Sequence, residues 1–132
     1  MTSPSAEERW LSYTTTIVRI DHPRLGSFVV EPAPAGHANG EYPAPGQGPI
    51  HIMTAHNPGR ALSVDENNRR QQELLARLSR RLDLEVWNAL GGDGQWQHTE
   101  DSVAIVGLDD GAALELARQF EQDAIFSWVE SQ

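Results

Sequence analysis

Apolar and polar positions in the first part of the chain follow a pattern that is typical of a β-hairpin. The stretch Tyr13–Ile20 is rich in β-branched residues and predicts a strand. Turn-forming residues follow from His22 to Gly26, and a second apolar stretch, Ser27–Glu31, predicts the returning strand. We therefore expect an antiparallel strand pair over these residues.

Prolines and glycines dominate the next segment, residues 32–49. Its five prolines and four glycines exclude a helix and a central strand, so we predict a long surface loop. The loop need not separate two domains, because the hairpin before it is too small to hold a core alone. Residues 1–12 are predicted to be an N-terminal tail, and they lack the apolar segment of a secretory signal.

A strand and a helix with a well-defined start follow the loop. Ile50–Ala55 predicts a strand, and Ser63 with Glu66 has the spacing of a capping box, with Ser63 at the N-cap. The helix is predicted to continue to about Leu82. Its apolar side is predicted to consist of four leucines: Leu74, Leu75, Leu78 and Leu82.

The remaining residues again alternate strands with a helix. Strands are predicted over Leu84–Leu90, Val103–Leu108 and Ala124–Val129, and the glycine-rich residues 91–94 are predicted to be a loop. Asp109 is placed to cap a second helix from Asp110 to about Glu121. The apolar positions of that helix are Leu114, Leu116, Ala117 and Phe120.

From residue 50 to residue 130 the predicted order is therefore β-α-β-β-α-β. This order is typical of an α+β, ferredoxin-like core, in which two helices cover one face of a four-stranded antiparallel sheet. The N-terminal hairpin is an addition to this core, and the whole chain is predicted to be one α+β domain. The second face of the sheet needs a cover. The hairpin is expected either to cover this face or to extend an edge of the sheet, and a second copy in a homodimer would also cover the face.

Composition and charge narrow the possible functions. The chain has 132 residues, no cysteine and no apolar stretch long enough to span a membrane, which excludes disulfides and thiolate catalysis and favours a cytoplasmic protein. Its net charge of −9 arises entirely after residue 83, where ten acidic residues stand against one arginine. This half would repel nucleic acid and attract a cationic protein partner, but a solvated surface is the favoured explanation of the charge.

Polar residues continue the leucine side of the first helix toward its N-terminus. Asn67, Arg70 and Gln71 lie there at helical spacing, and burying such groups without partners costs about 1–3 kcal/mol each. His56 and Asn57 come just before this helix. One hypothesis is a pocket for an anionic or carbonyl-bearing ligand at the helix N-terminus. The alternative is an internal hydrogen-bond network that holds the turn after the strand against the helix.

Several residues outside this helix are further candidates for ligand binding or catalysis. Trp96 either closes over a ligand or folds back onto the core, Ser102 lies near it in sequence, and Gln122 either binds a ligand or holds the end of the second helix. Histidine titrates close to neutral pH, so His56 is a candidate acid–base catalyst, with Glu100 as a second candidate. A structural role for His56 is the alternative.

Metal and nucleic-acid sites are not favoured. His51 and His56 are five residues apart and point to opposite faces of a regular strand, so we predict no metal site and no cofactor. Half of all basic residues lie on the first helix, but no aromatic stacking motif accompanies them. We expect these arginines to pair with the acidic half, within the chain or across a dimer.

Five blocks in order resemble an uncharacterised bacterial family, the domain-of-unknown-function family DUF3293. They are Thr54–Pro58, Leu62-Ser63 with Glu66-Asn67, Gly94–Trp96 with Glu100 and Ser102, Val106–Leu108, and Phe120–Phe126. Glu121 departs from the family pattern, which usually has glycine there. The resemblance implies the domain and the candidate positions but no chemistry.

The expected function is therefore a binding or regulatory domain that recognises a small anionic metabolite or a protein partner. The alternative is a small cofactor-free enzyme of specialised metabolism that uses His56 or Glu100 as acid–base catalyst.

Overall fold

The computed structural model describes residues 16–31, 37–38, 41–56, 62–93, 95–97, 99–122 and 125–130. The predicted N-terminal tail and the candidate residue Asn57 lie outside these ranges. Within them the chain forms two helices and seven strands. The strands are β1 (Ile17–His22), β2 (Gly26–Glu31), β3 (His37–Ala38), β4 (Ile50–Met53), β5 (Glu85–Gly92), β6 (Thr99–Val106) and β7 (Phe126–Trp128). The helices are α1 (Val64–Ser79) and α2 (Asp110–Gln119).

All seven strands belong to one sheet with the order β3-β2-β1-β5-β6-β4-β7. Every pair of neighbours is antiparallel. The four strands after residue 49 are adjacent to one another, and the hairpin of β1 and β2 extends the sheet beyond β5. The α+β class and the added hairpin thus agree with the sequence analysis.

Both helices begin at the residues that the sequence indicated. The hydroxyl of Ser63 accepts a hydrogen bond from the backbone N–H of Glu66, and the carboxylate of Asp109 accepts one from the N–H of Ala112. Such caps satisfy backbone donors that the first turn of a helix leaves unpaired. Both helix starts were thus predicted correctly, whereas both helices end before the predicted residue.

The first helix ends earlier than predicted, and two leucines assigned to its apolar side are not buried. It stops at Ser79, so Leu82 lies beyond it and is 97% exposed, and Leu75 is also exposed. Leu84 packs against the core instead, because the chain turns between the helix and β5. In α2, Leu114 is exposed and Ala113 is buried in its place.

The two helices share one apolar cluster with one face of the sheet, here called the helix-side core. It consists of Met53, Ala55, Leu74, Leu78, Val103, Ile105, Leu108, Ala113, Ala117 and Phe120. Alternate residues of β4 and β6 point into it, as the two-residue period of a strand requires. The helices therefore cover one face only.

The other face of the sheet is covered by the chain itself. Its cluster, the hairpin-side core, consists of Val18, Ile20, Phe28, Ala44, Ile50, Ile52, Trp87, Ala89, Ala104 and Val106. The sheet curls so that Phe28 of β2 comes within 6.0 Å, between ring centroids, of Trp128 in β7. Ala44 and Tyr42, from the segment predicted as a surface loop, complete this cover. The same segment contains β3, which pairs with β2 at the edge of the sheet.

The predicted glycine loop after β5 is shorter than expected. Gly91 and Gly92 belong to β5, where they pair with Glu100 and Thr99. Strand β6 therefore begins at Thr99, four residues before the predicted start. Cross-strand pairing overrides the weak strand preference of glycine here.

The phenol of Tyr42 gives a pH-dependent contribution to stability. Its hydroxyl donates a hydrogen bond to the carbonyl of Gly48, and its ring meets Trp128 edge-on with centroids 5.3 Å apart. Burial raises the pKa of Tyr42, and the negative charge of Glu130 raises it further. The folded protein thus holds the phenol proton more tightly than the unfolded chain, in which tyrosine titrates near pH 10.

We expect Tyr42→Phe to cost about 0.5–1.5 kcal/mol of unfolding free energy near neutral pH, because one hydrogen bond is lost. The hydroxyl's contribution is fully present below about pH 10 and is lost as the pH rises through the folded-state pKa. Urea unfolding of both proteins between pH 8 and pH 11 measures this difference. Parallel stability curves for the two proteins over that range would contradict it.

Candidate functional site

Side chains of α1 hold the backbone at the end of β4. The side-chain oxygen of Gln71 accepts a hydrogen bond from the N–H of Ala55 at 3.0 Å. The Nε of Arg70 donates to the carbonyl oxygen of the same residue at 2.8 Å. Both polar groups of Ala55 are thus satisfied from the helix, which fixes the position of the next residue, His56.

The end of α2 joins the same network. The amide nitrogen of Gln122 donates to the carbonyl oxygen of His56 at 3.0 Å and to that of Phe120 at 3.4 Å. The Nη2 of Arg70 also donates to the carbonyl of Phe120. The Nη1 of Arg70 lies 3.5 Å from Oε1 of Glu121. Arg70 and Gln122 therefore connect both helices to the backbone at Ala55 and His56, whereas residues 57–59 of the predicted turn lie outside the described residues.

Asn67 and Gln71 are both buried, on the side of α1 that faces the sheet. Their burial agrees with the helical spacing that singled them out. Sequence analysis grouped them with His56, Asn57 and Arg70. The structure brings Arg70 and Gln71 together at the residue before His56, whereas Asn57 lies outside the described residues.

His56 itself is incompletely satisfied. Its backbone N–H donates to the hydroxyl oxygen of Thr54 at 3.0 Å, and that hydroxyl donates to the carbonyl of Asp101 at 2.7 Å. Its Nε2 atom is buried and has no hydrogen-bond partner among the residues that the structure describes. A buried polar atom without a partner costs about 1–3 kcal/mol. The imidazole of His56 therefore keeps one ring nitrogen available for a further hydrogen bond.

Glu100 and Ser102 lie on the other face of the sheet. Alternation along β6 puts them on the same side as Ala104 and Val106, which belong to the hairpin-side core. The hydroxyl of Ser102 donates to the carbonyl of Glu100 at 3.1 Å. These two candidates thus lie on the face opposite to Gln71 and the helices.

Trp96 folds back onto the sheet, the alternative to closure over a ligand. The carboxylate of Asp93 accepts hydrogen bonds from the N–H groups of Gln95 and Gln97, each at 3.0 Å, and this holds the turn. Trp96 adopts a left-handed backbone conformation with φ 57°, which is costly for a large residue. Its ring occupies the space that a side chain at Gly92 would need, and the residue remains 38% exposed.

A comparison with known protein families shows to which family the chain belongs. The model of the family described as "Protein of unknown function (DUF3293)" matches residues 53–125, more than half of the sequence. The chain belongs to this family. No curated protein and no solved structure matches it significantly.

The part of the chain that matches DUF3293 contains every candidate residue, from His56 to Gln122. The hairpin of β1 and β2 lies before it. The match therefore covers both helices and the backbone at Ala55 and His56, which together form the hydrogen-bond network. It assigns no activity to any of these residues.

In this DUF3293 member, two side chains that the sequence analysis did not single out form tertiary hydrogen bonds. Thr54 links His56 to β6, and a threonine at the end of a strand before a turn is the signal that points to such a bond. The Nε2 of buried His51 donates a hydrogen bond at 2.8 Å to the carboxylate of Asp110, the first residue of α2. These two residues are far apart in the sequence, and no local pattern links them.

Arg77 of α1 and Arg81, which follows the helix, both have acidic partners. Arg77 contacts Glu73 and Gln119, each at 2.9 Å, and Arg81 pairs with Asp83.

In the described ranges, no three His, Asp or Glu side chains gather closely enough to hold a metal ion. Neither of the two described helices has the length and apolar character that a membrane crossing requires.

Proposed function

We propose that this protein is a binding or regulatory domain and that the turn at His56 is its binding site for a small anionic ligand. The observation that carries the proposal is the buried Nε2 atom of His56, which has no partner among the described residues. Water or a ligand atom in hydrogen-bonding distance would recover the cost of burying it.

The surroundings of His56 support a preformed site. Its backbone is held by the hydroxyl of Thr54 on one side and by the amide of Gln122 on the other, while Arg70 and Gln71 hold the preceding residue. A site whose backbone is fixed before binding loses little entropy when the ligand binds. The guanidinium of Arg70 supplies positive charge to this part of a strongly acidic protein, which favours an anionic ligand.

The test is a thermal-shift screen of phosphate, small carboxylates and nucleotides at constant ionic strength. We expect at least one anion to raise the melting temperature of the wild-type protein and His56→Ala to lose that shift. A ligand at one hundred times its Kd stabilises the folded state by about 2.7 kcal/mol, which such a screen detects.

Arg69→Met is the matched control, because it removes a positive charge from an exposed position next to Arg70. It should retain the shift if binding is specific to the turn. A screen without any stabilising anion would contradict the proposal, as would a His56→Ala protein that is stabilised as strongly as the wild type.

We also propose that residues 50–130 form a ferredoxin-like core. The order β7-β4-β6-β5, the antiparallel pairing of these strands and the position of both helices on one face support this arrangement. It places the turn at His56 at the end of an inner strand, between the start of α1 and the end of α2.

A further inference from the structure

Among the described residues, one nitrogen of the Arg70 guanidinium group has no backbone partner. Its Nε donates to the carbonyl of Ala55 and its Nη2 donates to the carbonyl of Phe120. Its Nη1 lies 3.5 Å from the carboxylate of Glu121. Charge-assisted hydrogen bonds between such groups are normally about 2.7–2.9 Å long, so this third contact is loose.

Glu121 reaches Arg70 from a backbone conformation that is unfavourable for glutamate. Its φ is 58°, in the left-handed region, where glycine is preferred. It lies two residues after the last residue of α2, and the N–H of Gln122 continues the turn by donating to the carbonyl of Ala117 at 2.9 Å. The side chain of Glu121 is 61% exposed, so water competes for its carboxylate.

Arg70 and His56 belong to the same local network. Arg70 holds the carbonyl of the residue that precedes His56, and Gln122, the neighbour of Glu121, holds the carbonyl of His56. The proposed ligand at His56 is thus one residue along the chain from the carbonyl that Arg70 holds, and Nη1 of the same guanidinium group faces Glu121. An oxyanion would bind Nη1 of Arg70, because arginine binds carboxylate and phosphate oxygens in preference to most other groups.

We propose that Glu121 is a built-in competitor for the ligand, and that the ligand is an oxyanion that displaces the Glu121 carboxylate from Nη1 of Arg70. This inference rests on the proposed binding site at His56 and adds the ligand class and its regulation. The loose, exposed contact is weak enough for a ligand to replace it. The two committed nitrogens of Arg70 keep the guanidinium in place when Glu121 leaves.

The experiment measures the Kd of inorganic phosphate, and separately of acetate, by calorimetric titration at constant ionic strength. Glu121→Gln removes the competing charge and keeps a side chain of the same shape. We expect it to bind the preferred anion about three- to fivefold more tightly than the wild type, since an exposed ion pair contributes up to about that factor. The phosphate and acetate arms separate a phosphate ligand from a carboxylate ligand.

Glu115→Gln is the matched control. It removes one negative charge from α2, where Glu115 pairs with Arg118 at 2.9 Å, but it leaves Arg70 unchanged. Its Kd should stay within about twofold of the wild-type value, because exposed charges at a distance are screened by salt. The inference is overturned if Glu121→Gln binds no more tightly than Glu115→Gln, or if neither anion binds to Glu121→Gln.

His56→Ala separates this inference from the proposed binding site. Tighter binding by Glu121→Gln together with unchanged binding by His56→Ala would leave Arg70 as an anion site and remove His56 from it. Loss of binding in His56→Ala together with an unchanged Kd in Glu121→Gln would leave the site at His56 and remove the competitor.

Discussion

Arg70→Met should lower the free energy of unfolding by about 2–3 kcal/mol, because hydrogen bonds from a charged donor contribute about 1.5–3 kcal/mol each when buried. The Arg70 side chain is only 22% exposed and donates to the carbonyls of Ala55 and Phe120. Both acceptors lose a partner when the guanidinium is removed, and methionine replaces the volume of the stem. We discount the full sum of two such bonds because water reaches part of the site.

Urea denaturation measures this loss of unfolding free energy directly. Two further variants separate the hydrogen bonds of Arg70 from its charge and from a general effect of the substitution. Arg69→Met changes an exposed neighbour on the same turn of α1 and should alter stability by no more than about 0.5 kcal/mol. Arg70→Lys keeps the charge but lacks the planar fork that reaches two carbonyls, so it should recover less than half of the loss. If Arg70→Met costs no more than Arg69→Met, the network at the turn does not stabilise the fold.

The importance of Arg70 and Gln71 was predictable from the sequence, but their partners were not. Helical spacing places both on the side that continues the leucines, where polar groups need hydrogen bonds. The acceptor carbonyl of Phe120 is fifty residues further along the chain. Only the packing of α1 beside α2 brings it within reach, and no local pattern encodes that packing.

The division of the candidate residues between two faces of the sheet has a similar origin. The sequence predicts β6 from Val103, which leaves Glu100 and Ser102 in a loop with no defined direction. Pairing with β5 extends the strand to Thr99, and alternation then turns both residues away from the helices. A shift of a strand boundary by a few residues thus decides which face a polar side chain occupies.

The sequence analysis predicted only some of the residues that cover the hairpin-side core. A stretch rich in β-branched residues and the turn after it indicated a hairpin, and the structure places Val18, Ile20 and Phe28 in the hairpin-side core. The burial of Ala44, within a segment rich in proline and glycine, could not be predicted. Such a segment has no period that reveals a buried side, and the curl of the sheet determines what it meets.

Gly92→Ala should displace the ring of Trp96 and lower the free energy of unfolding by about 1–3 kcal/mol, the usual cost of forcing an extra carbon into a packed site. A Cβ atom at Gly92 would lie 2.4 Å from Cε3 and 2.7 Å from Cζ3 of Trp96. These separations are far below van der Waals contact, so the ring must leave its place. Subtracting the emission spectrum of Trp96→Phe from that of each protein isolates Trp96, and its emission should shift to longer wavelength in Gly92→Ala.

Gly91→Ala is the matched control, because it makes the same chemical change one residue earlier in the same strand. A Cβ atom there would lie 3.7 Å from the hydroxyl of Ser102 and 3.8 Å from Cγ2 of Thr16, which are ordinary contacts. We expect its stability to stay within about 0.5 kcal/mol of the wild type, with unchanged emission from Trp96. Equal effects of the two substitutions would mean that β5 resists any side chain at this end, and the packing of Trp96 on Gly92 would then not be the cause.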